Sequence, residues 1–305
     1  MNLLRKLLIY FIMKSKLTKI TIIIFFILIL LKKEIIYITI YKTTILWFNN
    51  IVPNLLPMFI ISSLIINSNL IYNICNLLGK PFEYIFKTSK YGIFVYLLSL
   101  ISGSPSNAKY IKDLLNNNLI TKEQSNKLLT FTANYNPLLI INLLSLYLPK
   151  HTSVKILIIV ILSNIIVGLF NRNIPCQILN NKTNINKINI SYIIKDTLDT
   201  LLMILGTLIF FNLIINLLPI TNILLKNIFN GALEITTALS NIKYLNINNN
   251  FKIVLSLLYL SFGGISIHTQ IKSILPDTNY NLFIKSRILC MFISLLLWWC
   301  QFLII

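Results

Sequence analysis

Four polar islands sit inside or at the ends of the apolar runs of this chain. The first reads Ser102-Gly103-Ser104-Pro105-Ser106-Asn107 and leads into Ala108. The second is Asn134-Tyr135-Asn136-Pro137. The third contains Gly231, Leu233, Glu234, Thr236 and Thr237. The fourth is Gly263-Gly264-Ile265-Ser266-Ile267-His268-Thr269-Gln270. Each joins a helix breaker to hydrogen-bonding side chains. Unwinding a helix frees backbone N–H and C=O groups, and the resumed half-helix presents roughly half a positive elementary charge at its N-terminus. Ser, Asn and Gln add neutral donors and acceptors. That is the chemistry of solute binding by discontinuous helices. The candidate substrate-binding residues are Ser102, Gly103, Ser104, Pro105, Ser106, Asn107, Asn134, Asn136, Glu234, Thr236, Gly263, Gly264, Ser266 and Gln270. One such island alone more often serves close helix packing. Four islands, two of them in matching positions, favour a site.

Glu234 stands apart among the 8 acidic residues. Most of the others flank lysines and read as loop residues (Glu34, Asp113, Glu123), whereas no charge lies between Lys226 and Lys243 except Glu234. An ionisable residue inside a membrane span is costly and marks function by default. Its bland alternative is an interfacial helix end. His268 reads as a hydrogen-bonded packing residue and His151 as loop. Two histidines and dispersed acids supply no catalytic triad or metal cluster, and no Gly-Lys-Ser/Thr phosphate loop occurs. Ser104 and Ser106 have no base nearby in sequence. The four cysteines show no Cys-x-x-Cys spacing. The expectation is a protein that is not an enzyme and carries no metal and no cofactor.

The elements that position these residues must be membrane helices. Hydrophobic residues make up 56% of the 305 positions and charged residues only 11%, against about 25% in a soluble domain. Lys and Arg number 27, giving a net charge of +19. They punctuate apolar runs rather than forming one stripe, which fits loops beside anionic lipid headgroups and argues against nucleic acid. Apolar cores are expected at residues 17–31, 45–66, 91–101, 128–148, 154–170, 198–218, 251–265 and 288–305. Residues 91–101 and 251–262 are short and run into Gly/Ser breaks, so they read as half-helices or re-entrant hairpins. Basic residues before residue 20 resemble a signal peptide. Lys32-Lys33-Glu34-Ile35 offers no small-residue cleavage site, so a retained first helix is expected. Thr121 and Gln124 form the ends of a capping box. Residues 109–127 are charged enough to be expected outside the bilayer, and Trp298 and Trp299 suit an interfacial belt.

Residues 91–114 overlay residues 251–274, setting Gly103 on Gly263, Ser106 on Ser266, Ile111 on Ile271 and Lys112 on Lys272. Both halves carry prolines upstream, Pro53 and Pro57 in one and Pro219 in the other. The expected fold is an all-α polytopic membrane protein of about 6–8 transmembrane segments, with broken or re-entrant helices and a two-fold internal repeat, expected to be inverted. The expected division is an N-terminal helix and connector at residues 1–44 and a first repeat half at 45–170. A polar linker at 171–191 and a second half at 192–305 follow.

At these same islands the sequence resembles the YlbJ-type sporulation integral membrane proteins, part of a wider group with nucleoside-recognition Gate domains. The matching residues are Pro53-Asn54-Leu55-Leu56-Pro57-Met58-Phe59, then Ser102-Gly103-Ser104-Pro105 with Ala108-Lys109. Asn134 with Pro137 follows, then Gly231 with Leu233-Glu234-Ile235-Thr236, and last Phe262-Gly263-Gly264-Ile265-Ser266 with Gln270. They keep the family's order over roughly residues 45–300. The family usually has an aromatic where Ser104 stands and glycine where Asn107, Asn136 and Ala238 stand. The resemblance implies a sporulation-associated protein of the cell membrane, or of a membrane around the forespore. It also implies a link to spore cortex formation and to passage of dipicolinate.

The leading expectation is a permease for a small polar or anionic solute, coupled to an ion or proton through Glu234. The lipid bilayer is its surroundings and a homo-oligomer one arrangement. A nucleoside-type permease and a non-transporting scaffold for envelope assembly are the rivals.

Overall fold

In a bilayer a backbone must satisfy its own polar groups, and long Ile/Leu/Phe runs do so as helices. The computed structural model describes residue 19, residues 22–177 and residues 189–303. Every regular element among them is helical. The start of the first expected core and the middle of the expected linker lie outside the described residues.

In the first half, α1 (Ile22–Leu31) meets α2 (Lys33–Leu46) at Lys32. A π-turn, Trp47–Ile51, then leads into α3 (Val52–Ile66). Pro53 has no N–H to return to the preceding turn, and the widened turn is the local answer. Then come α4 (Leu70–Phe86), α5 (Gly92–Ser102), α6 (Ser106–Asn116), α7 (Lys122–Leu129), α8 (Pro137–Leu144) and α9 (Lys150–Phe170). The second half holds α10 (Ile190–Leu217), α11 (Ile223–Leu233), α12 (Ile235–Asn241), α13 (Asn249–Phe262), α14 (Gly264–Ile274) and α15 (Tyr280–Leu303).

Five helical runs among the described residues are long and apolar enough to cross a membrane: Lys33–Ile66, Lys150–Asn173, Ile190–Leu217, Asn249–Ile274 and Tyr280–Cys300. The chain is a multi-pass membrane protein. One core cluster joins α3 to α7 with α10 and α14, and a second joins α8, α9, α12 and α13.

Three features depart from the sequence reading. The apolar stretch at 128–148 is not one helix: α7 stops, residues 131–136 run without regular structure, and Asn136 starts α8. Helix α4 was not among the expected cores, because Asn73, Asn76, Lys80 and Pro81 dilute its apolar face. Asp113, expected in a loop, lies buried in α6. Its neighbours in residues 109–127 include Lys109 and Lys127, each 1% exposed within the protein. The capping box is present: Gln124 N–H donates to the Thr121 hydroxyl and Thr121 N–H to the Gln124 side-chain oxygen.

Candidate functional site

Each polar island breaks a helix, and the breaks converge. Gly103 separates α5 from α6 with φ +81°, a conformation that a β-carbon strains. A β-carbon there would lie 2.6 Å from the Asn136 nitrogen and 3.1 Å from Tyr135 Cα. The neighbouring Ser104 N–H donates to the Asn134 carbonyl at 2.7 Å. So the first island is stitched to the second. Gly263 separates α13 from α14 with φ +95°, and a β-carbon there would lie 3.2 Å from the Tyr135 hydroxyl. Gly264 packs on Leu233 and Ile235, which flank Glu234. The fourth island therefore touches both the second and the third.

Where they meet is a cavity of about 100 Å³, room for several waters. Of the candidate residues, Ser102, Ser104, Pro105, Asn136, Glu234, Thr236, Ser266 and Gln270 line it. Ile204 and Leu208 of α10 also line it, and they sit near the middle of that 28-residue helix. The cavity thus lies level with the middle of that helix. Helices α6, α8, α12 and α14 all begin at its edge. Asn136 caps α8 by accepting from Leu139 N–H at 3.1 Å. Helices α6 and α14 have no side-chain cap.

Glu234 is 3% exposed and ends α11 while starting α12. One carboxylate oxygen accepts from Thr236 N–H at 3.0 Å and the Thr236 hydroxyl at 2.7 Å. The other accepts from Thr237 N–H at 2.7 Å. No ion pair reaches it among the described residues, and no lysine, arginine or histidine lines the cavity. Gln270 donates to the Thr207 hydroxyl at 2.9 Å and to the Ser266 hydroxyl at 3.3 Å.

The remaining candidates stand behind the wall. Gly103, Gly263 and Gly264 form the breaks themselves. Ser106 pairs with Ser102 at 2.6 Å, Asn107 accepts from Ser104 and donates to Thr132, and all three contacts are internal. Asn134 donates to Ser99 at 3.0 Å and accepts from Asn164 at 3.0 Å. His268 is fixed between the Phe262 carbonyl and the Tyr280 hydroxyl, at 2.9 and 3.1 Å.

Three polar lining residues were not among the candidates. Tyr135 sets its backbone against Gly103 and its hydroxyl against Gly263, and the hydroxyl has no hydrogen-bond partner among the described residues. Its place in the second island was the available signal. Asn50 and Asn54 come from the π-turn and the first turn of α3, where Asn54 donates to the Asn50 carbonyl at 2.6 Å. Behind the second island, Arg287 of α15 is 2% exposed and donates to the Thr130 carbonyl at 2.6 Å and to Asn164 at 3.0 Å. Asn164 donates in turn to the Ala133 carbonyl. The extended strip under the cavity is thus held from α9 and α15.

The chain is 24% identical over 282 residues to the sporulation integral membrane protein YlbJ of Bacillus subtilis (strain 168), covering 77% of this chain and 69% of that protein. That similarity supports membership of the same family. No family model matches it. No solved structure matches it.

Proposed function

We propose that this protein is a permease for a small polar solute, bound where the four helix breaks meet. The observation that carries the reading is the convergence of four helix breaks on one cavity whose lining sets amides, hydroxyls and Glu234 among apolar side chains. Such convergence from two halves of a chain is the architecture of secondary transporters. In this reading the α5–α6 and α13–α14 breaks are equivalent parts of an inverted repeat. The shorter helices bring the crossings to 6–8, and the chain acts in sporulation, in a membrane around the forespore.

Dipicolinate is the solute that the family resemblance implies, along with a Gate-type domain and a link to the spore cortex. The cavity adds a condition. Its one acidic side chain is Glu234 and no cationic side chain lines it. An anion entering beside a carboxylate is repelled unless a proton or cation neutralises the charge first. Glu234 then couples the driving ion to the solute. A neutral solute such as a nucleoside needs no such step.

Binding to the purified protein separates these cases. Radiolabelled dipicolinate and uridine are titrated with and without sodium and across pH. Binding lost in Leu208→Trp, which fills the cavity from α10 without touching a break, is expected. Binding of the same strength in Leu208→Trp contradicts the site.

A further inference from the structure

Farther along α3 and α10, which line the cavity, and along α6, which begins beside it, lies a second opening of about 450 Å³. Asn67 of α3, Asn116 and Asn117 of α6 and Tyr192 of α10 give it a polar lining. A buried ion-pair network stands beside it. The Lys109 ammonium lies 2.6 and 2.7 Å from the two Asp113 oxygens and 2.8 Å from Asp196. The Ser63 hydroxyl donates to Asp113 at 2.6 Å, and Lys112 pairs with Asp196 at 2.7 Å. One ammonium therefore ties α3, α6 and α10 together. Nearer the cavity, Phe59 and Tyr110 are fully buried and meet edge to face with centroids 6.1 Å apart. The Tyr110 hydroxyl is 2.9 Å from that of Ser102, which lines the cavity.

We propose that this vestibule is the entry site for the solute, and that Lys109, Asp113 and Asp196 form the lock between it and the cavity. The inference rests on the permease reading. A buried ion pair adds little net stability, because desolvation offsets its attraction, so its use is to fix or switch a geometry. Here the connections are unequal. The pair between Lys109 and Asp113 stays within α6, whereas the pair between Lys109 and Asp196 crosses to α10. Lys109 and Lys112 are both on α6, so parting α6 from α10 breaks both pairs to Asp196. Lys109 keeps Asp113, and the freed Asp196 and Lys112 side chains, 17% and 29% exposed, turn to water. The helices can part without leaving a buried charge alone. Phe59 and Tyr110 then separate with them. The vestibule is lined by Lys109, Asp113 and Asp196, with Lys112 pairing Asp196 from outside the lining so that each carboxylate has an ammonium, and amides and a phenol complete it. That lining takes a polar uncharged or zwitterionic solute.

Thiol accessibility in lipid nanodiscs tests this without any solute. Cys176 and Cys300 are replaced by serine, and a membrane-impermeant methanethiosulfonate reagent is applied to Asn117→Cys or Ser104→Cys. The vestibule thiol is expected to react about tenfold faster or more than the cavity thiol, and Asp196→Asn is expected to raise the cavity rate by about tenfold. Phe59→Ala, which opens the aromatic layer, is the second variant and should do the same. Equal rates at the two thiols in the intact lock overturn the proposal. So does a cavity rate that neither Asp196→Asn nor Phe59→Ala changes. Either result leaves the permease reading standing, since it concerns access and not binding. A lock that responds in a protein that binds no solute supports the gate and counts against the permease.

Discussion

A β-carbon on Gly103 would stand 2.6 Å from the backbone nitrogen of Asn136. Gly103 ends one helix and Asn136 starts another, so two breaks are fitted together through the absence of one methyl group. Gly103→Ala combines that overlap with a positive φ. It is expected to cost about 2–4 kcal/mol of folding stability. Gly206, in α10, has nothing within 4 Å of where its β-carbon would stand, and Gly206→Ala should gain at most about 1 kcal/mol. Unfolding titrations in mixed micelles compare the two. Equal behaviour contradicts the fitted-break account.

Tyr135 offers the cavity a hydroxyl that nothing else uses. Tyr135→Phe should leave thermal stability unchanged and weaken solute binding by about five- to tenfold, the worth of one hydrogen bond. A loss of stability with unchanged affinity would assign Tyr135 to packing instead.

Arg287 holds the far side of the same strip. It is a buried guanidinium with no carboxylate partner among the described residues, and it satisfies the Thr130 carbonyl and the Asn164 amide. Arg287→Ala orphans both and should destabilise by about 2–4 kcal/mol. Arg287→Lys, which lacks the planar fork, should recover only part of this. Thermal unfolding in detergent checks the order wild type, Lys, Ala.

The pair Lys122–Asp277 is the opposite case, with side chains 71% and 74% exposed. The Lys122 hydrogen bond holds the Asp277 carboxyl below its usual value of 3.8. A lowered carboxyl contributes stability above its unfolded value and loses it as pH falls through the folded one. Any difference between Lys122→Ala and wild type should therefore appear only above about pH 4 and vanish in acid. Exposed pairs contribute little, so the two melting curves at neutral pH should nearly coincide.

The breaks were legible because glycine, proline, serine and asparagine punctuate apolar sequence wherever a helix cannot continue. Eight of the candidate residues line the cavity for that reason. What stayed hidden depends on distance along the chain. Asp113 sits beside lysines in sequence and looks solvated, but its burial follows from Ser63 and from the charge that Lys109 shares with Asp196. Arg287 lies in a stretch read as apolar span and flank, and its acceptors come from Thr130 and Asn164. Helix α4 escaped notice because its apolar face is one-sided, and a window that averages over all faces dilutes it.

The measurement that bears most directly on the permease reading is uptake of radiolabelled dipicolinate into proteoliposomes, with uridine in parallel, by wild type, Gly263→Leu and Glu234→Gln. The expected result is uptake by wild type that Gly263→Leu abolishes while still inserting, and whose pH or cation dependence Glu234→Gln removes. Uptake that is the same in Gly263→Leu as in wild type, or absent for every small polar solute tried with well-inserted wild-type protein, contradicts a permease built on the four breaks.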